Sequence, residues 1–258
     1  MIISIYQIDA FTKEQFKGNP AAVCPLKKWI SDDLMEKIAE ENNLSETAFF
    51  VKKNDKYELR WFTPKGEIDL CGHATLATAY VIFTYMNKDA NKISFNTKSG
   101  VLEVYREKNL LTMIFPTRRG ERCTAPNLLI KALGKKPLEV YKSRDYMAVF
   151  EKEEDILNLN PNMKELKKLD TSVIVTAKGK NVDFVSRFFA PNVGVNEDPV
   201  TGSSHCTLVP YWKDVLEKSE LVSQQVSKRS GMLYCIDLGE KVKISGEAVT
   251  YSEGYVNV

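Results

Sequence analysis

The chain has 258 residues, 43% of them hydrophobic and 27% charged, and a formal net charge of +2. These are ordinary globular proportions, and the near-neutral balance of scattered lysines, arginines and acids speaks against nucleic acid or an anionic membrane as partner. The five cysteines are odd in number and lack a C-x-x-C pair, which suits reduced thiols in a cytoplasm better than a disulfide framework or a structural zinc site.

Taken in order, the elements alternate between strand and helix. Met1 to Tyr6 shows no basic segment and no small-residue cleavage site, so no export signal is expected. Ile2 to Asp9 is a strand, and Ala21 to Pro25 is another after the turn Lys17-Gly18-Asn19-Pro20. Ser31 caps a helix through Asn42, with Leu34, Ile38 and Ala39 on one face. Strands follow at Glu46–Val51 and Tyr57–Phe62. Gly72 then opens an almost wholly apolar helix to about Met86, the mark of a buried helix. Its apolar run from Ala74 to Met86 is too short to span a bilayer. Strands at Lys92–Asn96, Gly100–Tyr105 and Leu110–Phe115 close a first half, and Pro116 to Pro126 reads as a linker. The second half has strands at Leu138–Tyr141 and Tyr146–Phe150, helices near Asp155 and at Met163–Leu169, and strands at Ser172–Thr176 and Phe184–Phe189. A helix from Ser203 to about Tyr211, with an extension left open, precedes strands near Leu233, Val242 and Val249.

The halves repeat each other. Arg60-Trp61-Phe62-Thr63-Pro64 returns as Arg187-Phe188-Phe189-Ala190-Pro191, offset by 127 (187 − 60). Gly72 returns as Gly202, offset by 130 (202 − 72). Ala22-Val23 matches Ala148-Val149, Ser45 to Val51 matches Thr171 to Val175, and Ser99-Gly100 matches Ser230-Gly231. A period this long means duplicated domains rather than a solenoid unit. The expected division is 1–116 and 117–258, with a return of the last strand to the first half left open.

Chemistry concentrates at the two helix starts. Backbone N–H groups after Gly72 and Gly202 lack partners within the helix and attract anions, although each glycine taken alone could be only a tight turn. Glu46, at the mouth of an apolar strand, is expected to be partly desolvated, which raises a carboxyl pKa and suits acid–base work. Its counterpart Ser172 cannot act as a base, so the duplicated scaffold carries one such group. Asp198 is read equally as turn chemistry before Pro199 or as a contact for a substrate amine or hydroxyl. His73, in the first turn of its helix, is expected to be neutral because the helix dipole disfavours its cation. His205 sits further into its helix, where a structural role is open. Asp69-x-Cys71-x-His73 lacks the further ligands of a metal site. Ser203, His205 and Asp198 lie too close on one turn for a hydrolase triad, and no G-x-S-x-G is present.

Gly18-Asn19-Pro20-Ala21-Ala22-Val23, Ser45-Glu46-Thr47-Ala48-Phe49, Arg60 to Pro64, Leu70-Cys71-Gly72-His73-Ala74-Thr75 and Glu197 to Cys206 together resemble the PhzF-like (phenazine biosynthesis) proteins, over nearly the whole chain. The resemblance implies the diaminopimelate-epimerase fold. This is an α/β (α+β) fold of two pseudo-symmetric domains, each a mostly antiparallel sheet rolled around a central apolar helix, with the site between them. It implies a cytoplasmic homodimer that needs no cofactor. It also implies an isomerase or epimerase that moves a proton between carbons of a small carboxylate-bearing substrate. Glu46 matches the catalytic glutamate; Asn19, Gly72, His73, Asp198, Gly202 and Ser203 match substrate-binding positions. Diaminopimelate epimerase uses a cysteine pair, and Cys71 matches its first member. Thr201 stands where the second would be, and Cys206 falls on the wrong turn. A two-cysteine racemase is thus disfavoured. The alternative from another class is a non-catalytic protein that binds small carboxylates or a partner.

Overall fold

In the computed structural model, which describes residues 1–258, the chain divides into two units. One comprises Met1–Met113 with Ser245–Val258, the other Ile114–Ile244. The segment Ser245–Val258 belongs to the first unit. No helix is long and apolar enough to cross a membrane.

The first unit runs β1 (Ile2–Ala10), β2 (Asn19–Leu26), α1 (Asp32–Asn42), β3 (Glu46–Lys53), β4 (Lys56–Thr63), β5 (Gly66–Ile68), α2 (Gly72–Val81), β6 (Lys92–Thr97), β7 (Gly100–Glu107) and β8 (Leu110–Pro116). The second runs β9 (Glu121–Cys123), α3 (Asn127–Leu133), β10 (Glu139–Lys142), β11 (Tyr146–Val149), α4 (Glu153–Leu157), α5 (Met163–Lys167), β12 (Val173–Lys178), β13 (Phe184–Ala190), β14 (Val195–Asp198), α6 (His205–Leu216), β15 (Glu220–Gln225), β16 (Gly231–Asp237) and β17 (Lys241–Gly246). β18 (Ala248–Asn257) then lies antiparallel along β1, from Ala10↔Ala248 to Ile2↔Asn257.

The duplication is visible strand by strand. β1–β2 and β10–β11 are antiparallel, β2–β3 and β11–β12 parallel, and β3–β4 and β12–β13 antiparallel. The same sense then recurs in β4–β5 and β13–β14, β4–β6 and β13–β15, and β6–β7 and β15–β16. Register is kept across β3–β4 and β12–β13: Arg60 sits opposite Phe49, and Arg187 opposite Val175. Since side chains alternate across a strand, this register decides which face each residue meets. Each arginine is then used alike. Arg60 takes both carboxylate oxygens of Glu67 at 2.7 and 2.8 Å, and Arg187 both oxygens of Glu197 at 2.7 and 3.0 Å. Their guanidinium carbons lie 5.1 Å from the Phe62 ring centre and 4.9 Å from that of Phe189.

The core of the first unit is built on α2, which packs on β1, β2, β3 and β18. Of the residues from His73 to Val81, all but Tyr80 are buried. Small residues at Ala74, Ala77 and Ala79 let the helix approach the sheet closely, and burying Leu76 and Val81 stabilises by about 1.5–3 kcal/mol each.

Four sequence expectations change. The helix expected from Gly72 to Met86 is α-helical only to Val81; Ile82–Met86 is a π-turn closed by the Asn87 amide on the Ile82 carbonyl at 2.7 Å. The expected linker contains β9, where Glu121, Arg122 and Cys123 pair with Lys142, Tyr141 and Val140. The helix expected from Ser203 starts with a 3-10 turn at Gly202–Ser204 and runs on as α6 to Leu216, past Pro210. A helical proline cannot bond the carbonyl four residues back. Here that carbonyl, of Cys206, accepts from the Arg118 amide at 2.9 Å, which removes the penalty of leaving it unpaired. The fourth change concerns the charge of His73.

Candidate active site

In the first unit β3 delivers Glu46 as its first residue, and α2 delivers Gly72 and His73 as its first two. Cys71 occupies the helix N-cap and makes no side-chain capping bond. His73 is buried, and Glu46 is mostly buried. The His73 Nε2 lies 3.0 Å from Glu46 Oε2. The approach is close but off the line of a hydrogen bond, and each of these two buried atoms lacks any hydrogen-bond partner. On the other edge of the ring, the Cys71 Sγ lies 3.6 Å and the Asn19 amide Nδ2 3.2 Å from Nδ1. The three groups Glu46, Cys71 and His73 thus gather within 4.8 Å of one another.

The electrostatics correct the expected neutral His73. Burial opposes the charged ring, but the negative charges of Cys71 and Glu46 outweigh it and hold the His73 pKa well above its usual value. The helix dipole counted at the sequence level is the weaker influence beside a carboxylate at 3.0 Å. Burial first, and the Glu46 charge second, push the Cys71 thiol up.

The corresponding positions of the second unit hold different chemistry. Ser172, in the place of Glu46, is buried and donates to Asn192 Oδ1 at 3.4 Å. Thr201, in the place of Cys71, donates its hydroxyl to Asp198 Oδ2, and its amide donates to Gln225 Oε1 at 2.8 Å. Gly202 is buried at the start of the 3-10 turn, which also lacks a side-chain cap. Ser203, in the place of His73, accepts from Arg144 Nη2 at 3.1 Å. His205 is a packing residue: Nδ1–H donates to the Thr201 carbonyl at 2.9 Å, and Nε2 accepts from the Ser223 hydroxyl at 2.8 Å. Burial pushes its pKa down to about 4, so the ring is neutral. Of the residues singled out in the sequence, Asn19, Glu46, Gly72 and His73 thus gather in the first unit, and Asp198, Gly202 and Ser203 in the second.

A family model described as "Phenazine biosynthesis-like protein" matches residues 8–254. The chain belongs to the phenazine biosynthesis-like family. It is 50% identical over its whole length, and the whole of the relative's, to a Pseudomonas aeruginosa protein named as an isomerase. The crystal structure of a PhzF-family phenazine biosynthesis protein from Enterococcus faecalis superimposes with a TM-score of 0.98 at 46% identity, over 100% of both chains. A hydroxyproline epimerase from Agrobacterium vitis shares the fold at 9% identity, with a TM-score of 0.61 over 99% of this chain and 92% of that one. The phenazine biosynthesis-like chain is thus an isomerase with the epimerase fold, as its motifs implied.

Proposed function

We propose that this isomerase moves a proton between carbons of a small carboxylate-bearing substrate, with Glu46 as the acid–base group. The observation that carries this is the placement of Glu46. Its Oε2 is buried and 3.0 Å from the His73 imidazole, at the uncapped start of α2. The carboxylate takes a proton from a carbon made acidic by an adjacent carboxylate or unsaturated system, and the bonding pair stays on the substrate. Glu46, now a carboxylic acid, returns the proton to a second carbon. The charge that develops meets the amides at Gly72 and the His73 cation, donors already in place before the reaction. Asn19 holds the ring edge opposite Glu46 and fixes its direction. A two-cysteine exchange gains no support, because the partner position is Thr201 and burial pushes the Cys206 thiol up.

The test is proton NMR in deuterium oxide of a panel of small amino and hydroxy acids, followed for loss of carbon-bound signals. General acid–base catalysis contributes roughly 10²–10⁴-fold, so Glu46→Gln should slow exchange by that factor while Cys71→Ser keeps most of it. Full exchange by Glu46→Gln would remove the glutamate from the reaction. Loss in Cys71→Ser alone would give the proton to the thiol.

A further inference from the structure

One cluster in the first unit combines three kinds of metal-binding atom. Cys71 offers a sulfur, His73 a ring nitrogen and Glu46 a carboxylate oxygen, and these atoms lie within 4.8 Å of one another. In the sequence, Asp69, Cys71 and His73 lack further ligands. The fold brings Glu46 to two of them, from 27 residues before His73 (73 − 46). The matching positions of the second unit are Ser172, Thr201 and Ser203, three hydroxyls of no use to a soft divalent ion.

Two buried atoms carry the argument. His73 is 7% exposed, and its Nε2 has no hydrogen-bond partner. Glu46 Oε2 is likewise buried without one, although it lies only 3.0 Å away. Buried polar atoms left unsatisfied are costly, so two side by side call for an explanation. Proton transfer by Glu46 accounts for the carboxylate but leaves the neighbouring thiol without a task. Zinc holds nitrogen and carboxylate ligands at about 2.0–2.2 Å in a tetrahedron, which sets two such atoms roughly 3.3 Å apart. The 3.0 Å separation is close to that span, and it runs off the line of a hydrogen bond. The Cys71 sulfur has only to close by roughly 1 Å to reach a zinc–sulfur bond of about 2.3 Å. Asn19, 3.2 Å from the other ring nitrogen, holds the imidazole in direction, as outer partners do at metal centres. The Glu46 side chain keeps 15% of its surface exposed, which gives an ion a way in.

We propose that Glu46, Cys71 and His73 form a binding site for a divalent cation of the zinc class, which inhibits the isomerase by occupying the carboxylate. Three protein ligands leave the fourth position to water. As the ion binds, the thiol and the ring each release their proton to solution. Magnesium and calcium, which take oxygen ligands, do not compete for a site with sulfur and nitrogen. Binding stands on the geometry alone, whereas inhibition rests on the reading of Glu46 as the acid–base group.

The probe is zinc, titrated into the reduced full-length protein against a chromophoric chelator, with cobalt(II) as its spectroscopic substitute. One zinc should bind per chain, undisturbed by excess magnesium. Cobalt should give the near-ultraviolet absorption of a thiolate ligand, lost in Cys71→Ser and kept in Cys123→Ser. Cys71→Ser, His73→Gln and Glu46→Gln should each weaken zinc by at least roughly tenfold, the effect that loss of even an outer partner has on metal affinity. In the unaltered protein, one equivalent of zinc should move the proton resonances of the His73 ring. Those of His205, whose two nitrogens are both engaged inside the protein, should stay. No bound zinc, zinc affinity unchanged in Cys71→Ser, or movement of His205 instead of His73 would each overturn the site. Carbon–proton exchange should stop in proportion to the zinc bound and return on chelation. Full exchange by the zinc-loaded protein would refute inhibition, and with it the role of Glu46, while the binding results would stand. Exchange lost in Glu46→Gln together with no zinc binding to the unaltered protein would refute the site and leave the proton transfer intact.

Discussion

Acid should weaken this protein through His205. Its ring is buried and neutral, with a pKa of about 4 against an ordinary 6.5. Burial is the main cause, and the bond to the Thr201 carbonyl opposes it only in part. Because the folded-state pKa is below the unfolded one, the unfolded chain binds the proton more readily. The stabilisation is fully present above about pH 6.5 and is lost as the pH falls towards about 4. The gap of about 2.5 pH units (6.5 − 4) corresponds to roughly 3 kcal/mol at 1.36 kcal/mol per unit. The perturbation is His205→Gln, whose side chain can keep a hydrogen bond but takes no charge in this window. Urea denaturation at steps from neutral to mildly acidic pH measures both proteins. The variant starts out less stable at neutral pH, and the unaltered protein should then lose about 3 kcal/mol more than the variant on acidification. Carboxylates titrate alike in both and cancel in the difference. Parallel stability curves would refute the buried, uncharged imidazole.

Two further outcomes follow from the side chains. The chain has two histidines, so their imidazole proton resonances can be assigned by difference. His73 should titrate well above 6.5, and its midpoint should fall in Glu46→Gln. Since its folded-state pKa is raised, its stabilisation is complete below about 6.5 and fades as the pH rises through that higher value. Two resonances both centred near the ordinary value would contradict this electrostatic picture. In the second unit, Arg187 binds Glu197 through two nitrogens and donates to the Ile156 and Leu159 carbonyls at 3.0 and 2.7 Å. Arg187→Lys cannot span four acceptors, and leaving partly buried groups unpaired costs about 1–3 kcal/mol. The melting temperature should drop by roughly 2–10 °C; an unchanged value would show that the fork is dispensable.

What the sequence revealed, and what it hid, follows from the range of the interactions. Glycines before apolar runs mark the starts of α2 and α6 because helix starts are local events. The Arg-x-Phe blocks betrayed the duplication because register forces the same residue types to recur on the same face. The α3 helix was passed over although Gly134, with φ of 70°, ends it in the left-handed conformation that glycine favours. Its seven residues are too few to establish a helical period. How far α6 runs past Pro210 was left open, because a proline's cost depends on what becomes of the carbonyl four residues back. That carbonyl is met by Arg118, which lies 88 residues away (206 − 118). The charge of His73 was misjudged for the same reason: the dipole of its own helix is visible locally, and Glu46 is 27 residues distant (73 − 46).

The pairing of β18 with β1 has a consequence for biosynthesis. A ribosome finishes the contiguous part of the first unit at Met113 and then makes all of the second before residue 245. Through that interval β1 has β2 on one side from Tyr6 to Ala10, while the edge that β18 will cover, Ile2 to Ala10, has no strand to pair with. An uncovered strand edge is a template for pairing with other chains. The second unit is contiguous and can close on itself as it emerges, so a strand made after it, β18, is the one that seals the first domain. Errors late in translation therefore fall on the unit that holds Glu46 and His73, even though those residues were made early.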